Sequence, residues 1–308
     1  MADENIFRIE SVTQFFQAIG KEKPNHPLIG VIDVTELNMS DESMAAYKDV
    51  KMTSDLYSII LKDGSCGIQY GRNKYDFEEG VLQFMAPNQI VQSNNSHTPS
   101  SYGFFLVFHP DLVRNFDLGK RIKKYNFFNY EVHEALHLSK KEEDTLMEIV
   151  NNIKEELKMN IDKHSQEVLV TNIQLLLNYS QRFYERQFIT RTNSSSDVVS
   201  QVEELIQEYY ENKLHLEHGT PSPEYFADKV NYSNTYLSDM LKKETGKSTK
   251  DHIDEHIIEL AKTELAQSGK TVNEIAYDLG FNYPHYFSRL FKKKTGESPN
   301  VYRAQFLN

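Results

Sequence analysis

The sequence predicts an α+β protein with a β-rich N-terminal part and an all-α C-terminal part. Three observations indicate this class: β-branched and aromatic runs between turn residues from residue 28 to 108, two amphipathic helical patterns after residue 139, and a duplicated segment near the C-terminus. The duplication is a near-copy of residues 236–248 at 286–298, offset by 50 positions. With 308 residues, of which 39% are hydrophobic, the chain can form two or three domains with buried cores.

Composition narrows the function classes. No run of about 18 apolar residues is present and the N-terminus lacks the basic and apolar regions of a signal peptide, so we expect a cytoplasmic protein with no membrane partner. Cys66 is the single cysteine, which excludes an intramolecular disulfide and a cysteine metal cluster. The net charge of −11 is unusual for a DNA-binding protein, but residues 282–303 carry five basic residues and one acidic residue. We expect the overall acidity to weaken non-specific DNA binding.

The β-rich part is predicted to be a small β-barrel or sandwich. Residues 56–61 and 65–70 have the pattern of a hairpin around a Lys-Asp-Gly turn, residues 81–85 end before a proline, and residues 103–108 form a further apolar strand. Several short strands at this spacing are typical of such folds. Three aromatic residues are expected to be core rather than ligand contacts: Tyr57, Phe84 and Phe105.

Two long helices are predicted after the strands. Ser139 and Glu142 have capping-box spacing and are followed by apolar residues at helical intervals, and a second pattern covers residues 165–188. Together they form a helical hairpin that either covers the barrel or supplies a dimer interface. The polar, Ser-rich stretch that follows has the composition of a linker. The predicted segments are therefore 1–138, 139–190, 191–197 and 198–308.

The second copy of the repeat has the pattern of a helix-turn-helix. Thr271 and Glu274 form a capping box, and Gly280 lies where the chain must turn sharply. We expect Asn282 to cap the next helix, with Pro284 in its first turn. The residues predicted to be buried are Phe287, Leu290 and Phe291. The residues predicted to face outward are His285, Ser288, Arg289 and Lys292.

The first copy repeats this pattern with a turn at Asn231 that is one residue shorter, and Ser233 as the cap of its second helix. Both second helices end at a glycine. Between the copies, a capping box beginning at Ser248 predicts a helix over residues 249–268, which spans roughly 30 Å at about 1.5 Å per residue. Successive major grooves on one face of B-DNA are roughly 34 Å apart. One chain is therefore expected to place two recognition helices in consecutive grooves.

The C-terminal residues resemble the DNA-binding domain of the AraC/XylS family of bacterial transcription regulators. The resemblance covers roughly residues 200–308 and is carried by Gly280-Phe281-Asn282, Tyr286-Phe287-Ser288-Arg289, Phe291-Lys292-Lys293, Gly296, Ser298-Pro299 and Tyr302-Arg303. More loosely, Gly80 and residues 84–87 resemble the cupin-like sensor domain of that family. The resemblance implies double-stranded promoter DNA as a partner, a homodimer formed through the N-terminal part, a small-molecule effector, and RNA polymerase if the protein is an activator. We expect no cofactor.

The resemblance also implies which residues contact DNA. In the first recognition helix they are Ser233, Asn234, Thr235, Tyr236, Ser238, Asp239 and Lys242. In the second they are Asn282, Tyr283, His285, Ser288, Arg289, Lys292 and Lys293. Asp239 departs from the family pattern, which has a basic residue there, so we expect no phosphate contact; it either accepts a hydrogen bond from a cytosine amino group or faces solvent.

An enzyme with an accessory DNA-binding tail is the competing class. Residues 133–137 match the HExxH pattern of zinc peptidases, but they precede a helix start instead of lying within a helix, so we interpret them as a connector. His97 and His109 are isolated, which argues against a cupin metal site. His252 and His256 are expected on a solvated or DNA-proximal face. We therefore expect no catalytic residues and no metal, and stoichiometric zinc or iron in the purified protein would favour the enzyme class instead.

Overall fold

The structure is a computed structural model that describes residues 6–36, 51–63, 80–92, 102–131, 134–190 and 192–306. The chain divides into two compact units, Met1–Gln187 and Phe188–Asn308. The N-terminal unit contains β-sheets and helices, and the C-terminal unit is helical. The predicted α+β class is therefore confirmed.

Two β-sheets form the β-rich part of the N-terminal unit. The strands are β1 (Ile6–Ile9), β2 (Ile29–Asp33), β3 (Lys51–Ser54), β4 (Tyr57–Lys62), β5 (Val81–Met85), β6 (Val91–Gln92), β7 (Gly103–Phe108) and β8 (Leu136–His137). The larger sheet is antiparallel with the order β2-β7-β4-β5-β8, and the smaller has the order β1-β3-β6. The predicted strands at 56–61, 81–85 and 103–108 correspond to β4, β5 and β7. The predicted strand at 65–70 lies outside the described residues, as does Cys66.

Aromatic side chains fill the core of the larger sheet. Tyr57 and Phe84 are buried, as predicted for core residues, and the Tyr57 ring stacks on Phe108 with 5.2 Å between ring centroids. Phe105 is partly buried, and its ring centroid lies 4.8 Å from that of Phe15. Their packing against neighbouring rings agrees with a core role. The cupin-like character of this unit remains a prediction.

The predicted helical hairpin packs on the larger sheet. Short helices α1 (Val12–Ala18) and α2 (Asp117–Arg121) precede its two long helices, α3 (Lys140–Lys158) and α4 (Ser165–Thr190), and the predicted capping box at Ser139 is present. Arg186, near the end of α4, donates hydrogen bonds of 3.0 and 2.7 Å to Glu142 at the start of α3, so the helices are antiparallel. The Tyr184 ring stacks on Phe127 at 5.5 Å and contacts Phe84 of β5 at 6.3 Å. These contacts favour the role of sheet cover.

Eight helices of the described residues belong to the C-terminal unit: α5 (Thr192–Glu211), α6 (Leu214–His218), α7 (Pro223–Lys229), α8 (Asn234–Thr245), α9 (Thr249–Gln267), α10 (Val272–Asp278), α11 (Pro284–Thr295) and α12 (Pro299–Ala304). The helix predicted at 249–268 corresponds to α9. It packs against α8, α10, α11 and α12, so it is the common support of both copies of the repeat.

The Ser-rich segment predicted as a linker at 191–197 is helical from Thr192 onward. Serine, threonine and asparagine have lower helix propensity than alanine, but packing overrides such small preferences. The same helix buries Val202, Ile206 and Tyr209, which recur at intervals of four and three residues. Among the described residues, no helix combines the length and apolar character needed to cross a bilayer.

Candidate nucleic-acid interface

The first helix-turn-helix consists of α7, a tight turn and α8. Asn231 has a φ of +56° in the turn, and its short polar side chain makes this left-handed conformation accessible. The Ser233 hydroxyl caps α8 by accepting from the N–H of Tyr236 at 3.2 Å. The helix ends at Gly246, which has a φ of +77°. The predicted turn, cap and end of the first recognition helix are all confirmed.

The second helix-turn-helix consists of α10, a turn and α11. The capping box of Thr271 and Glu274 is present, and Gly280 has the positive φ expected of a sharp turn, +88°. A Cβ at Gly280 would lie 2.9 Å from the backbone oxygen of His215. Both the conformation and the close packing of the turn therefore require glycine.

The predicted cap of α11 is wrong. The N-cap residue is Tyr283, whose side chain makes no capping hydrogen bond, and Asn282 lies outside the helix. In the first copy the N–H of Tyr232 donates a 3.0 Å hydrogen bond to the carbonyl of Ala227, and in the second copy the N–H of Phe281 donates an equivalent 3.0 Å bond to the carbonyl of Ala276. The two turns therefore correspond as far as Tyr232 and Phe281. In the first copy the N-cap follows Tyr232 directly, whereas in the second copy one residue lies between Phe281 and the N-cap. Asn282 is therefore the extra residue that the unequal offsets indicate.

The outward face of α11 carries the predicted cations. Arg289, Lys292 and Lys293 are exposed, and within the described part of the chain their side chains make no ion pair or hydrogen bond. His285 and Asn282 are also exposed, Tyr283 is 60% exposed and Ser288 is half-buried. The opposite face buries Phe287 and Phe291, while Leu290 is only half-buried. Apart from the cap and the half-buried Leu290 and Ser288, these side chains of α11 face as predicted.

Tyr236 in the first recognition helix does not face outward. It is 1% exposed, its ring stacks on Tyr232 at 5.2 Å, and it packs against Phe188 at 5.1 Å. We therefore remove Tyr236 from the predicted DNA contacts. Its counterpart Tyr286, which was not among the predicted contacts, is 54% exposed. The repeat contains no signal for this difference, because the covering residue Phe188 precedes it in the chain.

The other predicted contacts of the first recognition helix are less exposed than those of the second. Lys242 is exposed, and five residues are half-buried: Ser233, Asn234, Thr235, Ser238 and Asp239. The Asn234 amide donates a 2.9 Å hydrogen bond to Glu224 of α7. Because α8 has Asp239 where α11 has Arg289, the first recognition helix has a less basic surface than the second.

His252 is not on a solvated face, contrary to prediction, and His256 is half-buried. His252 is buried, with Nε2 2.9 Å from the Thr245 hydroxyl oxygen and Nδ1 3.5 Å from a Glu203 carboxylate oxygen. The His256 ring lies 5.3 Å from that of Tyr210, and burial lowers the pKa of its imidazole. These histidines join α9 to α8 and α5 within the C-terminal unit.

The HExxH segment does not have the geometry of a zinc peptidase. Its glutamate, Glu134, is fully buried and accepts a 2.8 Å hydrogen bond from the N–H of Glu131. Its second histidine, His137, belongs to strand β8, whereas a peptidase site needs both histidines on one helix. His133 and His97 lie outside the described residues. His109 caps a short 3₁₀ turn by accepting from the N–H of Asp111. Among the described residues, no three His, Cys, Asp or Glu side chains group as a metal site.

Comparison with known proteins agrees with the helix-turn-helix geometry. The helix-turn-helix domain family matches residues 226–305. The uncharacterized HTH-type transcriptional regulator YfiF of Bacillus subtilis is 28% identical over 145 residues, which cover 46% of this chain and 42% of YfiF. This chain thus matches less than half the length of that relative.

A shorter relative is matched over most of its length. Regulatory protein SoxS of Escherichia coli is 34% identical over 77 residues, which cover 25% of this chain and 72% of SoxS. Among solved structures, the C-terminal domain of AraT, a response regulator from Geobacillus stearothermophilus, is 32% identical with a TM-score of 0.31, and the match covers 35% of this chain and 84% of that one. The family match and the extent of the SoxS alignment bear out the motif-based assignment, and the chain belongs to the AraC/XylS family of helix-turn-helix transcription regulators.

Proposed function

We propose that this protein binds double-stranded promoter DNA sequence-specifically and regulates transcription, with α8 and α11 in successive major grooves. The observation that carries the proposal is the pair of helix-turn-helix motifs supported by one helix, α9. This helix has 19 residues and is about 28 Å long at 1.5 Å per residue. Major grooves on one face of B-DNA recur at roughly 34 Å, which is a similar distance.

The exposed side chains of α11 suggest a division of roles. Arg289 lies at the centre of the outward face and has the planar donor geometry that pairs with guanine, so we assign it to base recognition. Lys292 and Lys293 lie one turn further and are suited to phosphate contacts. His285, Ser288, Asn282 and Tyr283 complete this surface. On α8, Thr235, Ser238 and Asp239 are assigned to base contacts and Lys242 to phosphate.

The N-terminal unit is proposed to bind a small-molecule effector and to form a homodimer. Val168 and Leu175 support dimerisation because they are exposed apolar residues seven positions apart on α4, which places them on one face of that helix. In an activator, contact with RNA polymerase would complete the mechanism. We propose that the protein acts in the cytoplasm, because a regulator of this kind must reach chromosomal DNA.

Selection of bound duplexes from a random pool by the full chain tests the proposal. We expect two enriched sequence elements per protein chain, centred about 10–10.5 base pairs apart. Direct or inverted repetition of that pair would report the symmetry of a dimer. A pool that stays unenriched after repeated rounds would contradict sequence-specific binding, and a single short element would contradict the use of two recognition helices.

A further inference from the structure

We propose that Asp251 and Lys294 form an inter-helix ion pair that holds the second helix-turn-helix on α9 and thereby sets the spacing between the two DNA elements. The inference rests on the proposed DNA binding and concerns how its two recognition helices are held relative to each other. Asp251 and Lys294 act as positioning residues, because they lie between helices and act on DNA only through the placement of α11.

Lys294 differs from the other lysines of its run. Lys292 and Lys293 are exposed, whereas the Lys294 side chain is 20% exposed and its Nζ lies 2.7 Å from Oδ1 of Asp251. Sequence alone groups the three lysines as one basic patch. The structure assigns Lys294 to a carboxylate of the same chain, which leaves the other two available for DNA.

Asp251 connects three elements. Its Oδ2 accepts 2.7 and 3.3 Å hydrogen bonds from the hydroxyl and N–H of Ser248, which complete the capping box of α9, while Oδ1 accepts from Lys294 of α11. Ser248 lies two residues after Gly246, where α8 ends. The ion pair therefore ties the last turn of the second recognition helix to the segment that directly follows the first.

The ionisation state of Asp251 favours a lasting ion pair with Lys294. Hydrogen bonds from Lys294 and Ser248 hold the pKa of the Asp251 carboxyl well below its usual range. The carboxylate therefore remains ionised throughout the physiological pH range. The neighbouring Lys247 is paired with Glu255 at 2.7 Å.

A second anchor lies at the opposite end of α9. The Nε of Arg303 in α12 donates a 3.3 Å hydrogen bond to the backbone oxygen of Leu265, near the last turn of α9. Between the two ends, α9 buries Ile257, Ile258 and Ala261. Lys294 of α11 is thus bound near the start of α9 and Arg303 of α12 near its end, so the second helix-turn-helix contacts α9 at both ends.

This restraint limits the spacings between the two DNA elements that one chain can bind. Shifting one element by a single base pair moves it about 3.4 Å along the duplex and rotates it by roughly 34°. A firmly held second recognition helix tolerates few such shifts. Loosening it allows α11 to follow a displaced element, so the preference for one spacing becomes weaker.

The experiment compares full-length variants on three duplexes: the site selected from the random pool and two derivatives in which the distance between its elements is one base pair longer or shorter. We expect Lys294→Met to lower the preference for the selected spacing by about two- to five-fold, the range set by a partly exposed ion pair. Lys294→Arg should retain the preference, because it preserves the charge. The control is Lys262→Met, which removes a 2.7 Å pair with Glu259 inside α9 and should leave the preference unchanged.

Three outcomes overturn the inference. One is an unaltered spacing profile for Lys294→Met. Another is an equal loss on all three duplexes with a salt slope reduced by about one, which would make Lys294 a phosphate contact. The third is a double variant, Asp251→Asn/Lys294→Met, whose loss of spacing preference equals the sum of the losses of the two single variants. If the two residues form one pair, the double variant should lose no more than Lys294→Met alone. Melting temperatures of all variants report whether they are folded. Absence of specific binding by the unaltered chain would instead refute the proposed function.

Discussion

Arg289 and Lys292 lie three positions apart on the exposed face of α11, and their chemistry suits them to different contacts in the proposed DNA complex. The guanidinium carries donors in a fixed plane that match the acceptor edge of guanine. The ammonium is a mobile point charge that suits a phosphate. Neither has a partner within the described residues, so both are available for DNA without breaking an internal bond.

Arg289→Ala is expected to weaken binding to the selected duplex by about 1–3 kcal/mol and to relax the base preference at one position. The reason is the loss of a bidentate contact to one base. Binding isotherms on the selected duplex and on variants of each position measure both effects. Equal losses on selected and scrambled duplexes would remove Arg289 from base recognition.

Lys292→Ala is expected to weaken binding to every duplex similarly and to reduce the salt slope by about one unit. One phosphate contact fewer releases about one counterion fewer, regardless of sequence. Titrations of selected and scrambled duplexes over a range of salt concentrations measure the slope. A loss confined to the selected duplex would show that Lys292 contacts a base instead.

For single residues, sequence periodicity predicts which side chains of a helix face outward only where the helix is covered by residues of the same helix-turn-helix. It succeeds for Arg289 and Lys292, whose opposite face buries Phe287 and Phe291. It fails for Tyr236, because the covering ring belongs to Phe188, outside the repeat. The pairing of Lys294 with Asp251 joins residues 43 positions apart, and no local pattern indicates it.

At the scale of elements, helix starts were the most predictable features. Capping boxes at Ser139, Ser248 and Thr271 are local in sequence, since donor and acceptor lie three residues apart, and all three are present. The N-cap of α11 was predicted one residue too early, because the inserted Asn282 shifts it to Tyr283, which makes no side-chain capping hydrogen bond. The Ser-rich start of α5 was not predicted either, since its helical state depends on packing further along the helix.

Gly280→Ala is expected to destabilise the C-terminal unit by about 1–3 kcal/mol, because its φ of +88° is strained for other residues. The added Cβ would also meet the backbone of His215 at 2.9 Å. Chemical denaturation measures the change. Gly246→Ala shares the positive φ but has open space around it, so it should cost less, and Gly269→Ala should cost nothing measurable. Equal losses at Gly280 and Gly246 would show that the close contact is unimportant.

The stability of the C-terminal unit should fall as the pH decreases from about 7 to 5, through the ordinary pKa of histidine near 6.5. Burial lowers the pKa values of His256 and His215 in the folded state, so the unfolded chain binds protons first. The stability that their neutral forms contribute is fully present above the pKa that these histidines have in the unfolded chain, and it is lost as the pH falls below that pKa. His256→Gln should flatten this dependence in denaturation curves recorded at several pH values. A dependence as steep as that of the unaltered chain would contradict the assignment to His256.

On the scale of the whole molecule, the two recognition helices are unequal. α11 presents Arg289, Lys292 and Lys293 to solvent, whereas α8 has Asp239 at the position of Arg289 and a buried Tyr236. The fold class and the double helix-turn-helix were predictable because repetition and capping are visible in the sequence. The roles of the N-terminal unit were not, because an effector pocket or a dimer surface depends on side chains brought together from distant strands and helices.

In the proposed complex, one chain contacts two successive major grooves on one face of a duplex. Methylation protection of guanine N7 on the selected duplex tests it most directly, because that atom lies in the major groove. We predict two protected patches per chain, separated by about 10–10.5 base pairs, with the patch under α11 weakened in Arg289→Ala. A single protected patch per chain, or two patches on opposite faces of the duplex, would contradict the account.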